Sequence, residues 1–249
     1  MKVSPRRWLG LLLVFCTRIA LADPSDSDER YVRVDTSRGP VHIWQPAGYD
    51  HETAATVVYV HGFRTTADEA WRTHRLRDQF HESGINALFV VCEAPTSEEA
   101  DFVWPSVQVL LAATAKQVDI PSGRLVVVGH SGAYWTIVRW LDEPLLDTIV
   151  LIDGAYGPLE PIADWLALQP DRRFIDVGGA TRSSTDAFHR RLPHSLVFDE
   201  FPSAFERARD ARVVYVRSDM GHMPLVTGGI AIPLLLRALA VPALAHSSG

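Results

Sequence analysis

The sequence predicts a doubly wound α/β domain, a mostly parallel sheet covered by helices on both faces and entered through an N-terminal antiparallel hairpin. Two observations carry this. The runs 56–60, 87–91, 125–128 and 149–152 are continuously aliphatic or β-branched, and strands apolar on both faces belong inside parallel sheets. Between them lie amphipathic stretches at helical spacing, about 67–83, 103–118 and 133–142, and alternation of strand with helix builds this layered architecture.

Each element follows in order. Residues 23–29 are polar and acidic, a lead-in without core-forming side chains. Residues 31–34 and 41–44 alternate apolar with polar around Ser37-Arg38-Gly39-Pro40, the pattern of a hairpin. The buried runs and amphipathic stretches come next, then two further strands at 174–177 and 213–216, separated by a mixed segment at 184–209. A helix-like segment at about 224–240 closes the pattern. No repeat or linker divides the chain, so residues 23–249 read as one domain.

Composition narrows the function classes. The 249 residues are 47% hydrophobic and 22% charged, with 16 Gly and 16 Pro. This is globular composition and excludes a disordered, collagen-like or disulfide-stapled chain. A formal net charge of -6 speaks against nucleic acid as a partner.

Residues 1–22 have the layout of a secretory signal peptide. Lys2, Arg6 and Arg7 precede a short apolar core at 8–16, and Ala20-Leu21-Ala22 offers a cleavage site. Arg6-Arg7 also fits a twin-arginine signal, so the route of export stays open. The expectation is an exported protein, periplasmic or secreted, cleaved near Ala22 and not stably inserted in a membrane. Loss of Lys2, Arg6, Arg7 and Arg18 takes the net charge from -6 to -10. Only Cys92 then remains, so no internal disulfide is available and the core alone must hold the fold. Cys92 itself, ending an apolar run, reads as a packing thiol.

The most informative stretch is Leu125-Val-Val-Val-Gly-His-Ser-Gly-Ala-Tyr134. A buried strand runs into Gly129-His130-Ser131-Gly132-Ala133 and a helical pattern follows at once. This is a near match to the G-x-S-x-G nucleophile elbow, with Ala133 in place of the last glycine. A serine on so tight a turn needs small neighbours two residues to either side. A hydroxyl is a weak nucleophile without a base, and His222, in the turn after the 213–216 strand, lies at the same sheet edge as Ser131. The other nine histidines fall elsewhere: His130 in the elbow, His61 in a second motif, His42 in the hairpin, His246 in the tail, and His51, His74, His81, His189 and His194 on polar helices or loops.

Asp153, at the end of the 149–152 run, is the leading candidate for the acid that orients His222, with Asp176 and Asp186 as rivals. An oxyanion hole would draw on the N–H of Gly132 and one from His61-Gly62-Phe63-Arg64, with Phe63 preferred and Arg64 as the alternative. Arg64, Glu93 and Tyr156 are candidate substrate contacts, and Trp104 and Trp135 are aromatics near the same edge, Trp135 favoured as core. No His/Cys/Asp cluster has metal-ligand spacing and no phosphate-binding glycine loop is present, so no metal or cofactor is expected.

Taken together, His61-Gly62, the elbow at 129–133, an acid after a late strand and Gly221-His222 resemble the α/β-hydrolase superfamily over roughly residues 55–240. An acid after the strand that follows the elbow helix is similar to thioesterase domains of polyketide and peptide synthetases; most members carry it one strand later. The resemblance implies hydrolysis of an ester or thioester through an acyl-enzyme on Ser131. Alternatives are an amidase or peptidase acting on cell-envelope material, or a non-catalytic binding protein of the same fold. The dehalogenase variant is excluded, because its elbow nucleophile is aspartate. In such proteins a lid between the Asp153 strand and the next often selects substrate. Residues 154–172 leave room only for a minimal lid, which suits bulky or polymeric substrates; the expected partner is a small-molecule or polymeric ester. The sequence carries no sign of oligomeric state.

Overall fold

The computed structural model describes residues 29–192, 194–202 and 205–244. The export signal expected at 1–22, the lead-in up to residue 28 and His246 lie outside them. Among the described residues nine strands form one sheet: β1 (Arg30–Thr36), β2 (Gly39–Gln45), β3 (Ala55–Val60), β4 (Ala87–Cys92), β5 (Leu125–His130), β6 (Leu146–Ile152), β7 (Arg173–Gly178), β8 (Leu196–Phe198) and β9 (Val213–Arg217). Their order is β1-β2-β4-β3-β5-β6-β7-β9-β8. β1 with β2 and β2 with β4 pair antiparallel, and all other neighbours run parallel.

The continuous apolar runs are explained by what covers each face. Successive side chains of a strand point to opposite sides. Val57 and Tyr59 of β3, Phe89 and Val91 of β4, and Val126 and Val128 of β5 enter one core. Val58, Val60, Leu88, Val90, Cys92 and Val127, from the same strands, enter the other. Cys92 is fully buried, and burial pushes its thiol above the usual range, as suits a packing residue.

The helices are shorter than their sequence patterns. α1 (Ala67–Thr73) and α2 (Leu76–Ser83) replace the single helix expected at 67–83. The chain breaks at Arg75, whose φ is +51°, and the break turns His74 inward, where its ring hydrogen-bonds the Tyr59 hydroxyl at 3.0 Å. α3 (Val107–Thr114) starts where the Ser106 hydroxyl accepts from the Val109 N–H, an N-cap that sets the first turn. α4 (Tyr134–Arg139) follows the elbow and α5 (Glu160–Leu168) joins β6 to β7. The mixed segment resolves into α6 (Arg182–His189), the edge strand β8 and α7 (Glu206–Arg209). The closing stretch divides into α8 (Pro224–Thr227) and α9 (Ala231–Arg237), parted by Gly228-Gly229.

The minimal lid is as expected. α5 is the only helix between β6 and β7, and its Ile162, Trp165 and Leu166 are buried in the core beneath it. It therefore covers the sheet rather than the C-terminal edge. No helix among the described residues is long and apolar enough to cross a membrane.

Candidate active site

β5 runs through the middle of the sheet between β3 and β6, so the loops after all three strands meet at one edge. Ser131 leaves β5 with φ +56°, a left-handed conformation for a non-glycine residue. Such a conformation costs about 1–3 kcal/mol and persists only where its surroundings enforce it. The turn around it is tightly packed. A Cβ at Gly129 would sit 2.4 Å from Ile137 Cδ1 and 2.9 Å from the Ala133 Cβ. Position 129 therefore has no room for a side chain against Ile137 and Ala133. Two further strained residues flank Ser131, Arg64 after β3 (φ +63°) and Asp153 after β6 (φ +47°).

Asp153 is fully buried. Its Oδ1 accepts from the N–H of Gly179 (3.0 Å), the N–H of Thr181 (2.8 Å) and the Thr181 hydroxyl (2.8 Å). Its Oδ2 accepts from the N–H of Ala180 (3.0 Å) and from Nδ1 of His222 (2.7 Å). Burial alone would raise this carboxyl, but the bonds from His222, Thr181 and Ala180 outweigh it and hold the group well below the usual carboxylate range. Asp153 stays ionised and fixes the proton of His222 on Nδ1, which leaves the Nε2 lone pair as the basic end of the ring.

Behind His222 lies His130, its ring centroid 4.4 Å away. The Nε2–H of His130 donates to the His222 carbonyl at 3.2 Å. Burial, with smaller contributions from His222 and His74, pulls His130 down to about 3, so it is neutral across the physiological range. The loop that carries His222 is tied at its root by the Ser218 N–H, which donates to the Gly178 carbonyl at 2.9 Å.

Ser131 and His222 line one cavity of about 710 Å3 together with His130, His74, Phe63, Arg64 and Tyr156. No hydrogen bond joins the Ser131 hydroxyl to His222, although both residues line the same cavity. Tyr156 lies beside both, edge-on to His222 at 6.1 Å and with its phenol against the Ser131 hydroxyl. Phe63 lies against Gly132, and neither N–H is paired with a protein acceptor among the described residues. The alternative donor, Arg64 N–H, is already bonded to the Thr96 carbonyl at 2.8 Å. Gly62 allows the loop to reach the elbow, because a Cβ there would lie 2.8 Å from Ser131 Cβ.

Other candidates fall elsewhere. Glu93 is not in the cavity wall. One carboxylate oxygen lies 3.1 Å from His61 Nε2 and the other accepts from the Ala67 N–H at 3.1 Å. The unpaired donors at the start of α1 draw it inward. Asp176 is buried within β7, 3.5 Å from His189 Nε2, and Asp186 pairs with Arg217 at 2.9 Å; neither touches His222. Trp104 is buried away from the cavity, where its carbonyl accepts from Trp140 Nε1. Trp135 is half-buried at the margin of the core and lines a smaller hollow on the other side of Phe63. Among the described residues no group of three His, Cys, Asp or Glu side chains is placed to hold a metal ion.

No family model and no curated protein matches the sequence. Solved structures do match its shape. An esterase from the hyperthermophilic archaeon Pyrobaculum calidifontis superposes with a TM-score of 0.55 at 15% identity, covering 86% of each chain. A fluorophosphonate-binding serine hydrolase of Staphylococcus aureus gives 0.59 at 10% identity, covering 85% of this chain and 98% of its own. The feruloyl esterase module of Clostridium thermocellum, solved with sinapinate, gives 0.54 at 12% identity over 91% and 93%. The chain has the α/β-hydrolase fold.

Within this α/β-hydrolase architecture the loop after β7, where most members carry the acid, is instead a cradle of donors. Gly179, Ala180 and Thr181 turn their N–H groups onto Asp153. Sequence reasoning missed His74, grouped with polar loop histidines although it is buried and walls the cavity. The available signal was its place at the end of an amphipathic pattern, four residues after the buried Ala70.

Proposed function

We propose that the chain is an exported serine hydrolase that cleaves a carboxylic ester or thioester through an acyl-enzyme on Ser131. The observation that carries this reading is the hydrogen bond from His222 to a buried, ionised Asp153 at the wall of the cavity that holds Ser131 on a strained turn.

The steps follow from the atoms. His222 Nε2 takes the Ser131 proton as Oγ attacks the carbonyl carbon. The N–H groups of Phe63 and Gly132 receive the oxyanion that forms. The imidazolium, stabilised by Asp153, then passes its proton to the leaving alcohol or thiol, and water repeats the sequence to release the acid. Arg64 and Tyr156, both in the cavity wall, contact the substrate. An edge with so small a lid favours substrates with a bulky or polymeric remainder. The esterase and serine-hydrolase neighbours agree with this chemistry, and the signal-like residues 1–22 support export with cleavage near Ala22.

Stopped-flow hydrolysis of 4-nitrophenyl acetate tests the proposal. The mature protein is expected to give a burst of nitrophenol stoichiometric with enzyme, and Ser131→Ala none. A burst that survives Ser131→Ala would refute it.

A further inference from the structure

His74 caps the C-terminal end of α1 and is almost completely buried, yet its ring forms part of the wall of the Ser131 cavity. Its Nδ1 faces the Tyr59 hydroxyl at 3.0 Å, and its Nε2 has no protein partner among the described residues. Tyr59 is fully buried and His74 is the partner of its hydroxyl. If Nδ1 carried the proton, the phenolic O–H would be left without an acceptor inside the core, which is costly. The favourable arrangement has Tyr59 donate to Nδ1, and the ring proton then resides on Nε2. Burial, with a smaller push from His61, lowers His74 to about 4, so the ring is neutral at physiological pH.

We propose that His74 is a specificity-determining residue, a neutral N–H donor of fixed tautomer that binds an oxygen on the non-reacting part of the substrate. The proposal rests on the serine-hydrolase reading above. The neighbours on the same side of the cavity are Thr73, Glu69 and Thr65, all polar, so this side suits a hydroxyl, ether or carbonyl oxygen better than an alkyl chain. The substrate class is therefore an oxygen-bearing ester.

Two matched substrate pairs test this with the mature chain. One pair is 4-nitrophenyl hexanoate and 4-nitrophenyl 5-oxohexanoate, the other butyl acetate and 2-methoxyethyl acetate, so that oxygen is offered on the acyl side and on the alcohol side. The wild type is expected to favour the oxygen-bearing member of at least one pair by about tenfold in kcat/KM, the size of one neutral hydrogen bond. His74→Phe is expected to abolish the preference, and Tyr59→Phe to weaken it by releasing the tautomer. Nitrogen NMR of the intact protein reads the tautomer directly, and a proton on Nδ1 of His74 would overturn the proposal even if His74→Phe failed to fold. So would a wild type without preference in either pair, or a preference unchanged in both variants. Fluorophosphonate labelling of Ser131 in the same samples separates these results from failure of the serine-hydrolase reading.

Discussion

His222 Nδ1 and Asp153 Oδ2 lie 2.7 Å apart across 69 residues of sequence, and the same carboxylate accepts four more hydrogen bonds from Gly179, Ala180 and Thr181. One side chain thus joins the ends of β6, β7 and β9. It fixes the ring of His222, and it also ties the sheet edge together.

Replacing Asp153 with Ala should therefore lower both activity and stability. Loss of the orienting acid is expected to reduce kcat by about 10³–10⁴-fold, read on a 4-nitrophenyl ester. The orphaned donors should reduce unfolding free energy by about 3 kcal/mol or more at neutral pH, read by urea titration. The folded carboxyl lies below its unfolded value, so its contribution is present above the ordinary carboxylate range and fades as pH falls through the folded value. The gap between wild type and variant should accordingly narrow in strong acid.

Gly62→Ala should act on the transition state. Its Cβ would lie 2.8 Å from Ser131 Cβ and 2.9 Å from the His130 carbonyl, so the loop that bears Phe63 must retreat from the elbow. Displacing one oxyanion donor costs about 10²–10³-fold in kcat, with KM little changed. An unchanged kcat would remove the Phe63 N–H from the oxyanion hole.

His130→Phe should change the pH dependence of stability. Burial holds the folded imidazole at about 3 against an ordinary 6.5, so between those values the unfolded chain takes up a proton that the folded one does not. Wild-type stability is lost over that window as pH falls. The variant lacks the titrating group, and its loss between neutral pH and pH near 4.5 should be smaller by about 2 kcal/mol. Equal slopes by urea titration would contradict the assignment.

Asp176→Asn should have the opposite sense. Burial raises this carboxyl above its unfolded value, its oxygens have no hydrogen-bond partner among the described residues, and His189 Nε2 lies 3.5 Å away. Stability tied to Asp176 is present in acid and is lost as pH rises through the folded value. The neutral amide should stabilise the protein by about 1 kcal/mol in mild alkali, seen as a higher Tm than wild type. That advantage should shrink in acid.

Much of this architecture was legible in the sequence because parallel strands with two buried faces write unbroken apolar runs, and an elbow demands small residues around its serine. The central strands and the turn at Ser131 were readable in this way, and the hairpin showed as an alternation of apolar with polar residues. What stayed hidden depends on long-range partners. β8 is three residues long and half exposed, so it leaves no periodicity. Arg75 breaks a continuous amphipathic pattern because His74 finds Tyr59 inside the core. Glu93 looked like an edge residue facing substrate, but the N–H at the start of α1 draws it inward. Three aspartates were plausible partners for His222, and only folding shows that the loop after β7 provides donors for Asp153 rather than an acid of its own.

The most direct test of the central claim is fluorophosphonate labelling of the protein, read by intact mass, beside Ser131→Ala and Asp153→Ala. The account predicts a single adduct on the wild type, none on Ser131→Ala and much slower labelling of Asp153→Ala. A folded wild type that takes no label would contradict it and leave a non-catalytic protein built on the same fold.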